Sequence, residues 1–157
     1  MRRYLLQNGL QEESVFFLFS AHGLPKTFVE QGDLYAYECE ISYQAVMQGF
    51  PKAEGILCYQ SKFGPGEWLR PYTEEVCRSI THYHKGRAAC IFVPISFTSD
   101  HIETLFEVEE QYMPLIAQQG LLSLRTPALN RQPEWLDAIT KILCAFTPCP
   151  TAMLIRN

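Results

Sequence analysis

Two short segments carry the residue types most able to do chemistry. The first is Ser20-Ala21-His22-Gly23-Leu24-Pro25, where a histidine closes an apolar run and is followed by a glycine that lets the backbone turn sharply and leaves room for a ligand. The second is Ser96-Phe97-Thr98-Ser99-Asp100-His101-Ile102-Glu103, which follows another apolar run and continues to Glu107 and Glu110. Imidazole and carboxylate facing one another across a crevice suit a borderline divalent metal such as ferrous iron, or a base and relay for moving protons. Each group also has a plainer reading. His22 fits a hydrogen-bonded turn histidine. Asp100-x-x-Glu103 at a helix start reads as a capping box. With Glu107 and Glu110 these carboxylates fall at steps of three and four, an acidic stripe that a solvated helix face tolerates.

Other candidates carry less. His82 and His84 stand with Lys85 at the end of a helical segment, where positive charge suits the helix dipole. The loop from Gln60 to Trp68 is rich in turn residues and lacks the Gly-Lys-Ser/Thr ending of a phosphate loop, which makes Trp68 more interesting as an apolar wall than Lys62 as a phosphate ligand. Of the six cysteines, Cys58 and Cys90 sit inside apolar strand-like runs and read as reduced core thiols. Cysteine-rich zinc spacing is absent, and Cys144 with Cys149 is too few thiols for a cysteine-only iron–sulfur cluster.

The elements that must position these residues follow from periodicity. Runs over 14–20, 55–60, 88–95 and 121–125 predict strands, three of them continuously apolar as strands covered on both faces should be. Behind the cap residue Asp33, the spacing of Tyr35, Cys39, Tyr43, Val46, Met47 and Phe50 predicts a helix. A second is predicted over 71–86 with Val76, Ile80 and Tyr83 inward, and a third over 100–119. A fourth, from Pro133, should bury Trp135, Ile139, Ile142, Leu143 and Phe146. The alternation predicts an α/β fold: an open four-stranded parallel sheet with helices on both faces, a three-layer sandwich of the Rossmann/flavodoxin type. With strand order 2-1-3-4, the ligand crevice lies beyond the carboxyl ends of strands one and three, where both histidine segments begin.

A chain of 157 residues, 47% hydrophobic, 19% charged and 13% aromatic, is long enough to bury one core and is neither disordered nor fibrous in composition. The net charge of −4 provides no electrostatic footprint for nucleic acid. Residues 1–10 have too short an apolar stretch for a signal peptide, and no uncharged run approaches the ~18 residues that cross a bilayer. The expected location is the cytoplasm, with peripheral attachment to a membrane as an alternative.

Four ordered blocks carry a resemblance: Phe19-Ser20-Ala21-His22-Gly23-Leu24-Pro25; Gly32-Asp33-x-Tyr35; Tyr59-Gln60-Ser61-Lys62-x-Gly64-Pro65-x-x-Trp68-Leu69-x-Pro71; and Pro94-Ile95-x-Phe97-Thr98-Ser99-Asp100-His101-Ile102-Glu103-Thr104-Leu105. Together they resemble the carboxyl-terminal half of ferrochelatase, the enzyme that inserts ferrous iron into a porphyrin. The resemblance implies that His22 and Glu103 are the catalytic pair and the groups that meet the iron. It implies that Gln60, Ser61, Trp68 and His101 line the porphyrin cleft, and that Asp100 and Glu107 form a relay for protons or metal. It implies no organic cofactor, with ferrous iron as a substrate and protoporphyrin IX or coproporphyrin III as the macrocycle. Leu34 replaces the family's usual proline in Gly-Asp-Pro-Tyr, a change that Asp33 can absorb by still capping the helix.

The domain expectation is a remnant of an interdomain helix over 1–13, a chelatase domain over 14–147 and a tail over 148–157. Because the family builds its cleft between two similar α/β domains, the implied partners are a separate amino-terminal half or a second copy of this chain. Two other readings stand beside the ferrochelatase one: a catalytically silent porphyrin- or partner-binding half-domain, and a small homodimeric chelatase of the cobalt type.

Overall fold

A computed structural model describes residues 1–145. The apolar runs form four parallel strands, β1 (Val15–His22), β2 (Glu54–Gln60), β3 (Ala89–Pro94) and β4 (Leu122–Arg125), in the order β2-β1-β3-β4. This is the expected topology. β1 lies in the middle, with Phe19 opposite Leu57 on one side and Val93 on the other, and His22 opposite Gln60 at its last rung.

Because side chains alternate along a strand, β1 divides its residues between two layers. Val15, Phe17, Phe19 and Ala21 pack with α1 (Arg2–Gln7) and α3 (Tyr35–Met47) through Leu5 and Cys39, and the short α2 (Lys26–Glu30) precedes α3. On the opposite face, Phe16 and Leu18 meet Val76 and Cys77 of α4 (Thr73–Arg78), Val108 and Tyr112 of a π-helix (Glu103–Tyr112), and Ile116 of α5 (Met113–Ala117). Gly55 is required where β2 crosses Phe17: an added Cβ would lie 2.8 Å from the Phe17 carbonyl oxygen. Cys39, Cys58, Cys77 and Cys90 are free and buried in these layers, while Cys144 is exposed. Among the described residues no helix is long and apolar enough to cross a membrane.

Three helices differ from expectation. The predicted helix over 71–86 is broken: α4 ends at Arg78, a single 3₁₀ turn covers Ile80–His82, and Tyr83 follows. The Ser79 hydroxyl donates to the Glu75 carbonyl (2.6 Å), competing with the backbone ladder, so His82 and His84 do not lie in the last turn of a long helix. The third helix begins near Glu103 rather than Asp100 and is wide-turned for ten residues, its end marked by the Met113 N–H reaching back five residues to the Val108 carbonyl. The fourth, α6 (Pro133–Ala145), forms where Pro133 predicts but does not bury its apolar face: Ile142 and Leu143 are 62% and 67% exposed. Phe146, Cys149 and the tail expected over 148–157 lie outside the described residues.

The contrast between β1 and α6 is measurable. Phe17→Ala removes a fully buried ring and is expected to cost about 3–5 kcal/mol, whereas Leu143→Ala should change stability by no more than about 0.5 kcal/mol. Urea unfolding of the two variants reads both values.

Candidate functional site

All four strands end on the same edge, and the candidate residues gather there. The peptide of His22 is the last of β1, with its N–H donating to Ser96 Oγ at 2.7 Å and its carbonyl accepting from the Tyr35 hydroxyl at 2.8 Å. The imidazole stands edge-on to Phe97 with ring centres 6.0 Å apart, and its Nδ1 is buried without a protein partner. The next residue has no room for a side chain: a Cβ on Gly23 would fall 2.6 Å from the Gln60 carbonyl oxygen and 3.3 Å from the Trp68 ring. Glycine follows His22 because β2 and the indole close on the backbone at that point.

The loop bearing Trp68 is stitched to the loop after His22. Lys26 N–H donates to the Glu67 carbonyl (2.9 Å) and Leu69 N–H to the Leu24 carbonyl (3.0 Å). Trp68 is thereby held beside the His22 turn as a half-buried wall, with its indole N–H buried and unpartnered.

Glu103 opens the π-helix and is part-buried. Its backbone carbonyl accepts from Gln60 Nε2 at 3.2 Å. Gln60 thus links the two halves of the candidate pair, being the rung partner of His22 and a donor to Glu103. The resemblance places Gln60 in the cleft wall, but the residue is only 2% exposed. Its carbonyl oxygen accepts from the Ser20 hydroxyl (2.6 Å) and its amide donates to Glu103 and Glu107, so it holds the site from behind instead of lining it.

The capping-box reading of Asp100 and Glu103 fails. Thr104 Oγ1 accepts the His101 N–H at 2.9 Å, whereas Asp100 is turned toward β4. Its carboxylate lies 3.1 Å from Arg125 and accepts from the Asn130 amide at 2.9 Å, and these contacts, the Asn130 bond foremost, hold its pKa below the ordinary 3.8. Arg125 also pairs with Glu109 at 2.5 Å and so ties the π-helix to the sheet. The solvated-face reading fails for Glu107 as well. Its carboxylate accepts the Ser61 N–H (2.7 Å), the Ser61 hydroxyl, the Gln60 amide (3.2 Å) and the Tyr112 hydroxyl. Ser61 adopts a left-handed conformation (φ 60°), in which both of its donors reach the same carboxylate. Burial and the bond to Glu107 push the Tyr112 phenol pKa upward, keeping it a donor. Glu110 is exposed.

His101 is exposed, its ring 5.0 Å from Phe97 and its Nε2 3.1 Å from Ser99 Oγ. Two cavities flank this edge. One, of about 650 Å³, includes Ser61, Tyr72, Glu107 and Tyr112 in its lining; the other, of about 950 Å³, includes Phe97, Thr98, Thr104 and the α1 residues Arg3 and Tyr4. Neither is lined by His22 or Glu103. Among the described residues no three histidine, cysteine or acidic side chains converge as a ready metal cluster. Sequence reasoning missed Tyr35 and Ser96 as neighbours of His22 and treated Arg125 only as a strand terminus, although Tyr35 stands in a block that carries the resemblance.

The ferrochelatase family model matches residues 1–145. The chain belongs to the ferrochelatase family. It is 41% identical over its whole length to the ferrochelatase of Chlamydia pneumoniae, covering 47% of that protein. It is 40% identical over 98% of its length to that of Chlamydia felis, covering 48%, and 39% identical over 91% to that of a Chlamydia trachomatis strain, covering 44%. The chain therefore spans about half the length of the curated ferrochelatases it matches.

Two consequences follow for stability. Glu107→Ala strands donors from Gln60, Ser61 and Tyr112 and is expected to cost about 2–3 kcal/mol, read as a lowered urea midpoint. Asp100, with its folded pKa depressed, contributes stability that is complete above its ordinary value and is lost as pH falls through the lowered one. Asp100→Asn should therefore be less stable than the parent at about pH 6, with the gap closing toward about pH 3. Unfolding curves at both pH values check this.

Proposed function

We propose that this chain supplies the catalytic wall of a ferrochelatase, inserting ferrous iron into a porphyrin of the protoporphyrin IX or coproporphyrin III type. The observation that carries the reading is His22: an imidazole at the carboxyl end of the central strand with its Nδ1 buried and unpartnered, tied through Gln60 to the turn that presents Glu103. The reaction exchanges two pyrrole protons for one ferrous ion, so the site needs a donor to the metal and acceptors for protons. Imidazole and carboxylate supply both, and both groups meet iron as a substrate.

Trp68, beside the His22 turn, and exposed His101, packed on Phe97, suit the face and edge of a flat macrocycle. Ser61 stands at the rim with its donors committed to Glu107, so its contribution to the cleft is the shape of its left-handed turn. Of the two implied relay carboxylates, Glu107 is joined to the Ser61 and Tyr112 hydroxyls, along which a proton can pass, whereas Asp100 is committed to Arg125 and Asn130 and serves to hold the start of the π-helix.

The cleft needs a second wall. Binding pockets bury ~70–90% of a ligand's surface, and neither flanking cavity includes His22 or Glu103. One layer cannot cover both faces of a macrocycle, push it out of planarity and strip water from the iron. The chain therefore works with a complementary amino-terminal half.

The test is iron–porphyrin formation by the chain with and without a separately expressed amino-terminal ferrochelatase half. Robust insertion is expected only with both, and His22→Ala and Glu103→Gln should each abolish it while leaving the unfolding midpoint nearly unchanged. Porphyrin binding without insertion under any condition would instead mark a silent half-domain. Activity of the lone chain rising with the square of its concentration would mark a homodimeric cleft.

A further inference from the structure

His22 has an orienting device that does not involve its ring. In a parallel sheet a residue directs its N–H and C=O toward the same neighbouring strand, and Ser20 and His22 direct theirs toward β3. The Ser20 carbonyl is still met by a backbone donor, the Ile95 N–H at 3.2 Å. Two residues later β3 has ended at Pro94, and on that side no strand stands opposite His22. Side chains take over there. Ser96 Oγ accepts the His22 N–H at 2.7 Å, Ser96 Oγ and Tyr35 Oη lie 2.7 Å apart, and the Tyr35 hydroxyl donates to the His22 carbonyl at 2.8 Å.

Only one assignment of protons satisfies all three contacts. The Tyr35 proton goes to the His22 carbonyl, so the serine must donate to the tyrosine oxygen while accepting from the His22 amide. The result is a closed ring, His22 N–H to Ser96 O–H to Tyr35 O–H to His22 C=O, in which every donor is used once and each bond polarises the next. Burial of the phenol pushes its pKa upward, which keeps it protonated and therefore a donor. Tyr35 is itself fixed, because its backbone N–H is capped by Asp33 Oδ1 at 2.8 Å.

The ring matters because the imidazole lacks the usual alternative. A histidine that meets a metal is commonly oriented by a partner on its second ring nitrogen, and here Nδ1 has no protein partner. Orientation is left to the peptide and to the edge-on packing of Phe97, one residue after Ser96. We infer that Tyr35 and Ser96 are positioning residues, which hold the backbone of His22 in a cyclic hydrogen-bond clasp and so aim its imidazole out of the carboxyl edge of the sheet. The clasp also couples the start of α3 to the 95–102 segment, so that the histidine and the approach to the π-helix are set by one closed unit. The catalytic consequence rests on the proposed role of His22; the clasp itself does not.

The test reads the imidazole directly. The His22 ring resonance in the proton–carbon NMR spectrum of the whole chain is assigned by its loss in His22→Ala, then followed in Tyr35→Phe, Ser96→Ala, the double variant and Ser96→Thr. Opening a ring at either of two bonds destroys the same unit. Each single variant should therefore displace or broaden the His22 signal, the double should do so no more than either single, and Ser96→Thr, which keeps the hydroxyl, should restore the parent position. His82 and His84, on the other side of the fold, should not move. An unchanged His22 signal in both single variants overturns the proposal, and so does an additive effect in the double, which would mean two independent bonds. A misfolded Ser96→Ala is recognised by movement of all histidine signals, and the Tyr35→Phe and Ser96→Thr pair then decides. With the complementary half present, iron insertion should fall roughly 10-fold in each single variant, with the porphyrin KM unchanged. A moved His22 signal with insertion unaffected by His22→Ala would sink the catalytic role and leave the clasp standing.

Discussion

The carboxylate of Glu107 fastens the π-helix to the carboxyl end of β2. It collects hydrogen bonds from the Ser61 amide and hydroxyl, the Gln60 side chain and Tyr112, and the last of these spans five residues of one helix. Wide-turned helices are rare and cluster at functional sites. This one is held from the sheet side by Glu107 and from β4 by Arg125, which pairs with both Asp100 and Glu109. A part-buried carboxylate with several donors is costly to disturb, because each group left behind must be desolvated without a partner. That asymmetry keeps Glu103 at the mouth of the sheet instead of letting the helix slide or rewind.

Gln60 extends the same network to the other half of the candidate pair. It is a buried polar side chain in an otherwise apolar strand, with each end of its amide used: the oxygen by Ser20 and the nitrogen by Glu103 and Glu107. Its backbone carbonyl meanwhile accepts the Gly23 N–H at 2.7 Å. A displacement of β2 would thus be felt at the His22 turn and at the π-helix together. The polar interior of this fold is concentrated on the edge where chemistry is proposed, and the rest of the sheet is packed with Phe, Leu, Ile and Val.

The apolar surface tells a complementary story. The two flanking cavities open beside the His22 edge without enclosing it, and Ile102, Leu105 and Phe106 of the π-helix region are 48–72% exposed. An α/β domain of this size completes its own core from helices on its two faces, and among the described residues only loops and the start of the π-helix stand beyond the carboxyl ends of β1, β2 and β3. Membership of the ferrochelatase family at about half the length of its curated relatives fits that geometry. In the proposed reading the exposed edge is one wall of a porphyrin cleft.

The parallel sheet and the cap at Asp33 were legible in the residues alone, because continuous apolar runs separated by amphipathic segments admit few other packings; the strand order entered only as a condition, which the sheet meets. That His22 and the start of the third helix lie toward the carboxyl edge of the sheet followed from that topology. Local pattern could not decide the partner of each polar group. Asp100-x-x-Glu103 and an i, i+4 acidic stripe have the same spelling whether the side chains cap, face water or bind donors 46 residues away, as Glu107 binds Ser61. Nor could periodicity show the wide turns of 103–112, since Val108 and Tyr112 look inward in either helix type. The apolar face of α6 is periodic but unburied, because burial depends on a neighbour that a helix does not encode. Tyr35 and Ser96 meet His22 only because β3 ends two residues too early to pair with it. Element type is a property of short segments, whereas the bonding of each polar group depends on which segments the fold brings side by side.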